Sequence, residues 1–404
     1  MSIRKRAWST LAGKHECWLV DYVDQGGVRR AKSFKHKRDA VEFAATTRVQ
    51  VRQGTHVADS ASITVKQAGE LWLETSADLE RSTQDQYKQH LNLHIAPFIG
   101  REKLSKITVG FVREFQDRLK QEGRSAVMIR NITRSLGSII ADAQERNLAA
   151  HNAVRELHKG RRGRNGQRDR RNGRLKVGVD IPTPEEVRAI LGEAEGKWRV
   201  LLLTATFSGL RASELRGLRW GDVDLQRGEL HVRQRADRYN KFGPPKSAAG
   251  ERTTPLPPTV VAELREWKLV CPKRDGRLGL VFPNTLGKIE SLSKIVSHGL
   301  IPAVLAAGLT LPVLDDQGIP KRDAEGKPIV KAKYSGLHSL RHFFASWCIN
   351  RKEDGGLGLP GKVVQERLGH ASITMTMDRY GHLFPRGDDT AELAAAERAL
   401  LGQA

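Results

Sequence analysis

The chain has 404 residues, enough for two or three domains that each bury a core without staples. It carries 68 Lys and Arg against 46 Asp and Glu, and this formal charge of +22 suits a polyanionic partner, without separating DNA from RNA. Cys17, Cys271 and Cys348 stand far apart, the basic start Met1–Arg6 leads into no apolar signal core, and no apolar run reaches membrane-span length; a disulfide framework and a membrane protein are excluded, and a cytoplasmic, nucleoid-associated location is expected.

Residues 15–34 alternate, with Trp18, Val20 and Tyr22 on one face and a turn at Gln25-Gly26-Gly27, which predicts a β-hairpin. Trp18 and Tyr22 read as sheet core rather than as base-stacking groups. A helix over 37–53 with Ala40, Val41, Phe43 and Ala44 as its apolar stripe follows, then a polar stretch at 54–62. Thr64 and Gln67 form a capping box ahead of Leu71 and Trp72. Ser82 opens a second helix with Tyr87, Leu91 and Ile95, stopped near Pro97. Thr108 opens a third with Val112, Phe115 and Leu119, and a fourth over 125–146 carries Ile129, Ile132, Leu136, Ile139 and Ile140. Four helices with short connections predict a bundle.

Residues 159–176 hold nine Lys or Arg and four Gly, with Asp169 as the one acid, so they read as an extended linker whose charge suits DNA phosphates. Order resumes at Thr183-Pro184-Glu185-Glu186, a capping box with Pro at the first helical position. A mixed α/β region runs on to about 385, with a loop or hairpin insertion at 313–333 and a Gly-rich stretch at Glu353–Gly358. An Ala- and Leu-rich tail helix ends the chain, and no internal repeat is evident.

Four segments hold polar residues where a core pattern needs none. In the first, an apolar helix stops at Gly209 and Arg211 opens the next, which puts a guanidinium at the positive end of a helix dipole, a phosphate-binding arrangement; the Arg211–Glu214 spacing is also a common structural pair. In the second, Lys246 lies near the tip of a hairpin between His231–Arg235 and Glu251–Leu256, where a solvated turn lysine is the ordinary reading. In the third, His338 and Arg341 share a helix face three residues apart, leading into Phe343, Phe344 and Trp347. In the fourth, His370 precedes Tyr380 by ten residues.

Together these segments resemble the tyrosine recombinase (phage integrase) family, through G-L-R-x-S-E-L at 209–215, K-S-x-x-x-x-R at 246–252, H-S-L-R-H at 338–342 and L-G-H-A-S-I-T-M-T-M-D-R-Y at 368–380. The resemblance implies a multidomain, mainly α protein with small β elements. Its parts would be an arm-type DNA-binding-like β-hairpin/helix domain (1–58), a helical core-binding, SAM-like domain (63–155), a basic flexible linker (156–180), a mixed α/β catalytic domain (181–386) and a C-terminal helix or tail (387–404). It implies a site-specific recombinase that cleaves and rejoins DNA through a covalent 3′-phosphotyrosyl intermediate, integrating or excising a mobile element such as a prophage.

In that chemistry Tyr380 is the nucleophile and His338 its base. Arg211 and Arg341 clamp the non-bridging oxygens, His370 adds a hydrogen bond, and Lys246 protonates the departing 5′-hydroxyl, with Lys241 as a possible substitute. The cations replace a metal, and the ester stores the bond energy, so no cofactor, metal or nucleotide is expected. Bundle and catalytic domain could close on a duplex as a clamp. The implied partners are attachment-site DNA, three further copies in a homotetramer, and an accessory DNA-bending or directionality protein. The tail helix, with Leu393 and Leu400, either exchanges between protomers or covers its own domain. A DNA-relaxing topoisomerase would share the chemistry but not need the N-terminal unit and tail. A non-catalytic DNA-binding regulator would have lost site residues, and none is lost.

Overall fold

The computed structural model describes residues 1–10, 13–159, 174–272, 278–315, 317–385 and 390–402. The chain divides into two compact units, Met1–Gly166 and Gln167–Ala404.

The first unit opens with an antiparallel sheet, β1 (Ser2–Thr10), β2 (Gly13–Val23) and β3 (Arg29–Phe34), backed by α1 (Lys37–Arg52). The expected hairpin is β2–β3, with Trp18 opposite Phe34. β1 is an addition to it: its side chains are nearly all exposed, and many are basic, so it shows no apolar alternation. Val20, Tyr22, Ala40 and Ala44 form the small core, which makes Tyr22 a sheet-core residue. Val41 faces water instead of joining the helix stripe, which runs Ala40, Ala44, Thr47 at helical spacing. The polar stretch after α1 is packed rather than free, with His56, Ala58 and Ser62 buried. His56 Nε2 meets the Tyr22 hydroxyl at 2.9 Å, and Lys103 donates to the Asp59 carbonyl at 2.6 Å.

The bundle comprises α2 (Val65–Thr75), α3 (Arg81–Gln89), α4 (Ala96–Ile99), α5 (Val109–Gln121), α6 (Ala126–Glu145) and α7 (Ala153–Lys159). Thr64 and Thr108 cap their helices through side-chain oxygens, as expected, and Ser125 does the same for α6. Pro97 does not stop the second helix. A π-helical turn over His90–Ile95 joins α3 to α4, with Pro97 in the first turn of α4, and the helix ends at Gly100. Trp72, Leu91, Ile95, Phe115, Leu119, Ile132, Leu136 and Ile139 fill the core. Most of the linker expected over 156–180 lies outside the described residues. Its two ends do not behave as linker: Leu157 is buried in the bundle core, and the Leu175 carbonyl accepts a 2.7 Å bond from His382 Nε2 of the second unit's own fold.

The second unit begins with α8 (Pro184–Glu193), under the expected Thr183–Glu186 capping box. There follow α9 (Gly196–Ser208), α10 (Ala212–Gly217), strands β4 (Val223–Asp224) and β5 (Glu229–Val232), and a ribbon of β6 (Arg235–Ala236) and β7 (Phe242–Gly243). β8 (Arg252–Pro255) returns beside β5 to complete a β4–β5–β8 sheet, and α11 (Pro258–Val270) follows. After α12 (Leu292–Lys294) and α13 (Ile301–Ala306), the insertion forms a hairpin of β9 (Thr310–Pro312) and β10 (Val330–Ala332). It also holds a short repeat hidden in its polar composition. Asp315 accepts from the amides of Gln317 and Ile319, and Asp323 from those of Glu325 and Lys327, the same turn eight residues on.

Four helices end the chain: α14 (His338–Ile349), α15 (Gly361–Leu368), α16 (Ile373–Tyr380) and α17 (Thr390–Leu401). α9 and α14 run through a core that includes Leu201, Leu202, Leu340 and Phe343. On α17, Leu393 and Leu400 are 63% and 86% exposed, so these side chains do not cover the unit. Helices with small sheets, in more than one folding unit, are the architecture expected from the sequence.

Candidate active site

The site is built where α9, α10, β8, α14 and α15 meet. α9 terminates at Gly209 with φ +63, and a Cβ there would lie 2.3 Å from Cδ1 of Phe344 on α14. Only glycine supplies both the left-handed turn and the close approach. The turn delivers Arg211 to the start of α10. Its backbone N–H donates to Glu214 Oε2 at 2.9 Å, its Nη1 to Glu214 Oε1 at 2.7 Å, and its Nη2 to the Gly369 carbonyl at 2.8 Å.

Arg341, on the first turn of α14, is 2% exposed and donates to the carbonyls of Gly209 and Leu368. Arg252, on β8, donates to Glu214 Oε2 at 3.0 Å, the Arg367 carbonyl at 2.8 Å and the Gly250 carbonyl at 3.0 Å. The last carbonyls of α15 and its cap, Arg367, Leu368 and Gly369, therefore each take one guanidinium. That end of a helix dipole is negative, so the three cations are held where the backbone favours them.

Three guanidinium groups surround one buried carboxylate, which leaves an excess of positive charge. Burial would raise the Glu214 carboxyl, but Arg252 and Arg211 outweigh it and hold the group below its ordinary range. Burial, with Arg211 and Arg252 close by, weakens the hold of Arg341 on its proton, although a guanidinium remains cationic. An entering phosphate would relieve this crowding. The surplus positive charge is of the kind that suits an anion.

Against it lie three imidazoles and a phenol. His370 follows Gly369, whose φ of +61 makes the C-cap of α15, and its Nδ1 shares a 2.9 Å hydrogen bond with Thr376 Oγ1. Its ring lies parallel to that of Tyr380, centroids 6.3 Å apart. Tyr380 ends α16 and is 1% exposed, and its hydroxyl shares a 2.6 Å bond with Nδ1 of His342. His338, one turn before His342 on α14 and open to solvent, touches the His342 ring edge to face at 4.5 Å. Burial raises the Tyr380 phenol above its ordinary 10, opposed by Arg341 and Arg379. Desolvation and nearby positive groups lower His342 to about 3, and His338 and His370 to about 4. At rest all three imidazoles are neutral near pH 7 and the phenol keeps its proton.

Of the six residues picked out in the sequence, Arg211, His338, Arg341, His370 and Tyr380 fall in this one cluster. Lys246 does not join it by a contact: it is exposed on the segment between β7 and β8, beyond the ribbon's turn, which instead holds Lys241. Both lysines reach solvent. The Arg211–Glu214 pair noted in the sequence is formed, but the sequence by itself assigned no role to Arg252, His342 or Arg379. Arg252 and His342 were inside the quoted motifs, but nothing local says that one bridges three segments or that the other holds the phenol. Among the described residues no group of three or more His, Cys, Asp or Glu is placed to hold a metal ion.

The histidine shifts make a stability prediction. His342 and His370, both buried, have folded pKa values below the unfolded value of about 6.5, so between about pH 6.5 and 4 the unfolded chain binds protons that the folded unit refuses, whereas solvent around the exposed His338 screens its share. Stability is full above that window and falls as the pH drops through it. The second unit's melting midpoint should drop by about 5 °C or more from pH 7 to pH 5. In His342→Gln, which cannot titrate, the slope should be shallower; an equal slope would remove His342 as a contributor.

Residues 182–386 match the phage integrase family, and residues 64–120 match the N-terminal SAM-like domain of phage integrases. A tyrosine recombinase XerC-like protein of Caldanaerobacter subterraneus subsp. tengcongensis is 24% identical over 386 residues, 90% of each chain. Among solved structures, the Tn1549 transposon integrase in complex with a circular intermediate DNA aligns with a TM-score of 0.61 and 19% identity, covering 84% of this chain and all of that one. A lambda integrase dimer bound to a core site aligns at 0.53 and 17% identity, covering 95% of each. At these identities the structural likeness is one of fold.

Proposed function

From the premise that this chain belongs to the phage integrase family of tyrosine recombinases, we propose that Tyr380 is the nucleophile of its strand-transfer reaction and that Arg211, Arg341 and His370 form the phosphate clamp. The protein is a DNA strand-transferring enzyme whose partner is double-stranded DNA. Integration or excision of a mobile element is the reaction that the clamp and nucleophile would serve.

In the proposed step the Tyr380 oxygen attacks phosphorus, the bond to the 5′-oxygen breaks, and a 3′-phosphotyrosyl ester holds the strand until the other 5′-hydroxyl attacks in return. Negative charge grows on the non-bridging oxygens, where the arginines already hold an excess of positive charge. Lys246, exposed and within the hairpin segment, would protonate the leaving oxygen once DNA fixes it. His338 would assist Tyr380; in the resting site the hydroxyl rests on His342, and that bond must open before the oxygen meets phosphorus. The remaining parts of the proposal are a homotetramer on paired sites, trans docking of the tail helix through its exposed Leu393 and Leu400, an arm-type role for residues 1–58, and a cytoplasmic location. No described helix is long and apolar enough to cross a membrane.

The observation that carries this reading is that Arg211, Arg341, His370 and Tyr380, drawn from three separate segments of the chain, pack around one helix end with surplus positive charge. A nicked suicide DNA substrate carrying the attachment site tests it. The wild-type protein should trap a covalent adduct on a 3′-phosphate in EDTA and without nucleotide. If the adduct forms only with added metal ion or nucleotide, the clamp does not replace a cofactor.

A further inference from the structure

Of the three arginines gathered at the end of α15, Arg252 has no part in the reaction as written above. Resting on that reading of the site, we propose that Arg252 is a positioning residue: its one guanidinium holds the segments of Arg211, His370 and Lys246 in a common geometry.

The β5–β8 pairing, with Val232 opposite Arg252, fixes where the side chain starts. The side chain is 6% exposed, and Nε, Nη1 and Nη2 each have an acceptor within 3.0 Å. All three of its nitrogens are committed, which separates it from Arg211 and Arg341, whose side chains bond through Nη1 and Nη2. Each acceptor belongs to a different part of the machinery. Glu214 Oε2 also takes the backbone N–H of Arg211, and the carboxylate's other oxygen takes the Arg211 guanidinium. The Arg367 carbonyl lies three residues before His370. The Gly250 carbonyl closes the short turn Ala248–Gly250 that follows Lys246.

The turn into His370 is also shaped around this group. A Cβ on Gly369 would come 2.8 Å from Arg252 Nη1 and 2.9 Å from the Ala249 carbonyl, so the glycine and the guanidinium share a space that holds only one of them with a side chain. Charge follows the same geometry. Without Arg252, the buried carboxylate of Glu214 would keep hydrogen bonds from Arg211 alone and draw that cation away from an incoming phosphate, while the Arg367 and Gly250 carbonyls would lose their donor. A lysine keeps the charge but cannot span three acceptors set around a planar fork.

Single-turnover cleavage of the nicked substrate by the full chain tests this. R252A should cleave about 10²-fold more slowly while binding DNA within about threefold of wild type, the pattern of an interaction made in the transition state. Guanidinium ion at tens of millimolar, below denaturing levels, should refill the vacancy and restore at least about tenfold of the lost rate; Arg252→Met, whose side chain fills the space, should not respond. A merely structural role would not produce rescue in one variant and none in the other. A rate in R252A within about threefold of wild type, or a slowed R252A that guanidinium does not restore, overturns the proposal. If R252A does not fold, R252K decides: slowed cleavage at unchanged DNA affinity supports it, and a wild-type rate overturns it. The underlying site reading fails separately, through Tyr380→Phe that still forms the adduct.

Discussion

Tyr380→Phe is expected to form no covalent adduct with the suicide substrate, a loss of at least about 10⁴-fold, while binding the same DNA. The substitution removes one oxygen and nothing else. The ring would keep its place beside Phe344, Val364 and Leu368, so packing is conserved. What changes at rest is the 2.6 Å bond to His342, whose Nδ1 loses its partner; the cost is about 1 kcal/mol, too small to unfold a unit of this size. Folding and reaction are therefore separable in this variant. The measurement is a denaturant-resistant protein–DNA band, with mass mapping of the linked peptide. A band of undiminished yield, or a linkage that maps away from residues 373–385, would end the assignment of the nucleophile.

Arg341→Lys should lower the cleavage rate by about 10²- to 10³-fold and leave DNA affinity within about tenfold. Charge is retained, so a purely coulombic role would survive the change. What is lost is the planar fork. Arg341 uses two of its nitrogens to hold the carbonyls of Gly209 and Leu368, the two turns that deliver Arg211 and His370. A single ammonium cannot hold both and still face a phosphate. Because the side chain is 2% exposed, part of the effect could come from stability, so melting should be measured beside cleavage. Wild-type cleavage by a well-folded Arg341→Lys protein would remove Arg341 from the clamp. Tyr380→Phe and Arg341→Lys should also differ in kind. The first stops chemistry at any substrate concentration, whereas the second slows it and leaves a measurable rate.

Much of this architecture is written locally in the chain. The caps at Thr64, Thr108 and Thr183 each need only an oxygen and an amide two or three residues away, so their positions could be read directly. The β2–β3 hairpin and the stripe on α6 follow from periods of two and 3.6 residues. Where local rules failed, a longer-range partner had intervened. β1 has no apolar alternation and exists because β2 supplies a ladder; Pro97 breaks nothing because a π-turn and the bundle core accommodate it; the stretch after α1 is ordered by Tyr22 and Lys103.

The site divides the same way. The sequence alone determined which residue types were available and in what order, because a glycine stop, an opening arginine, a His-x-x-Arg turn and a tyrosine ten residues beyond a histidine are short-range patterns. Only the tertiary structure decided that Arg211 would reach Gly369, 158 positions away, that Arg341 would meet Gly209 across 132, and that the phenol would rest on His342 rather than on His338. The reason is physical: spacing along a chain sets which side chains share a face, whereas a buried guanidinium or hydroxyl takes whichever acceptor the packed core leaves beside it.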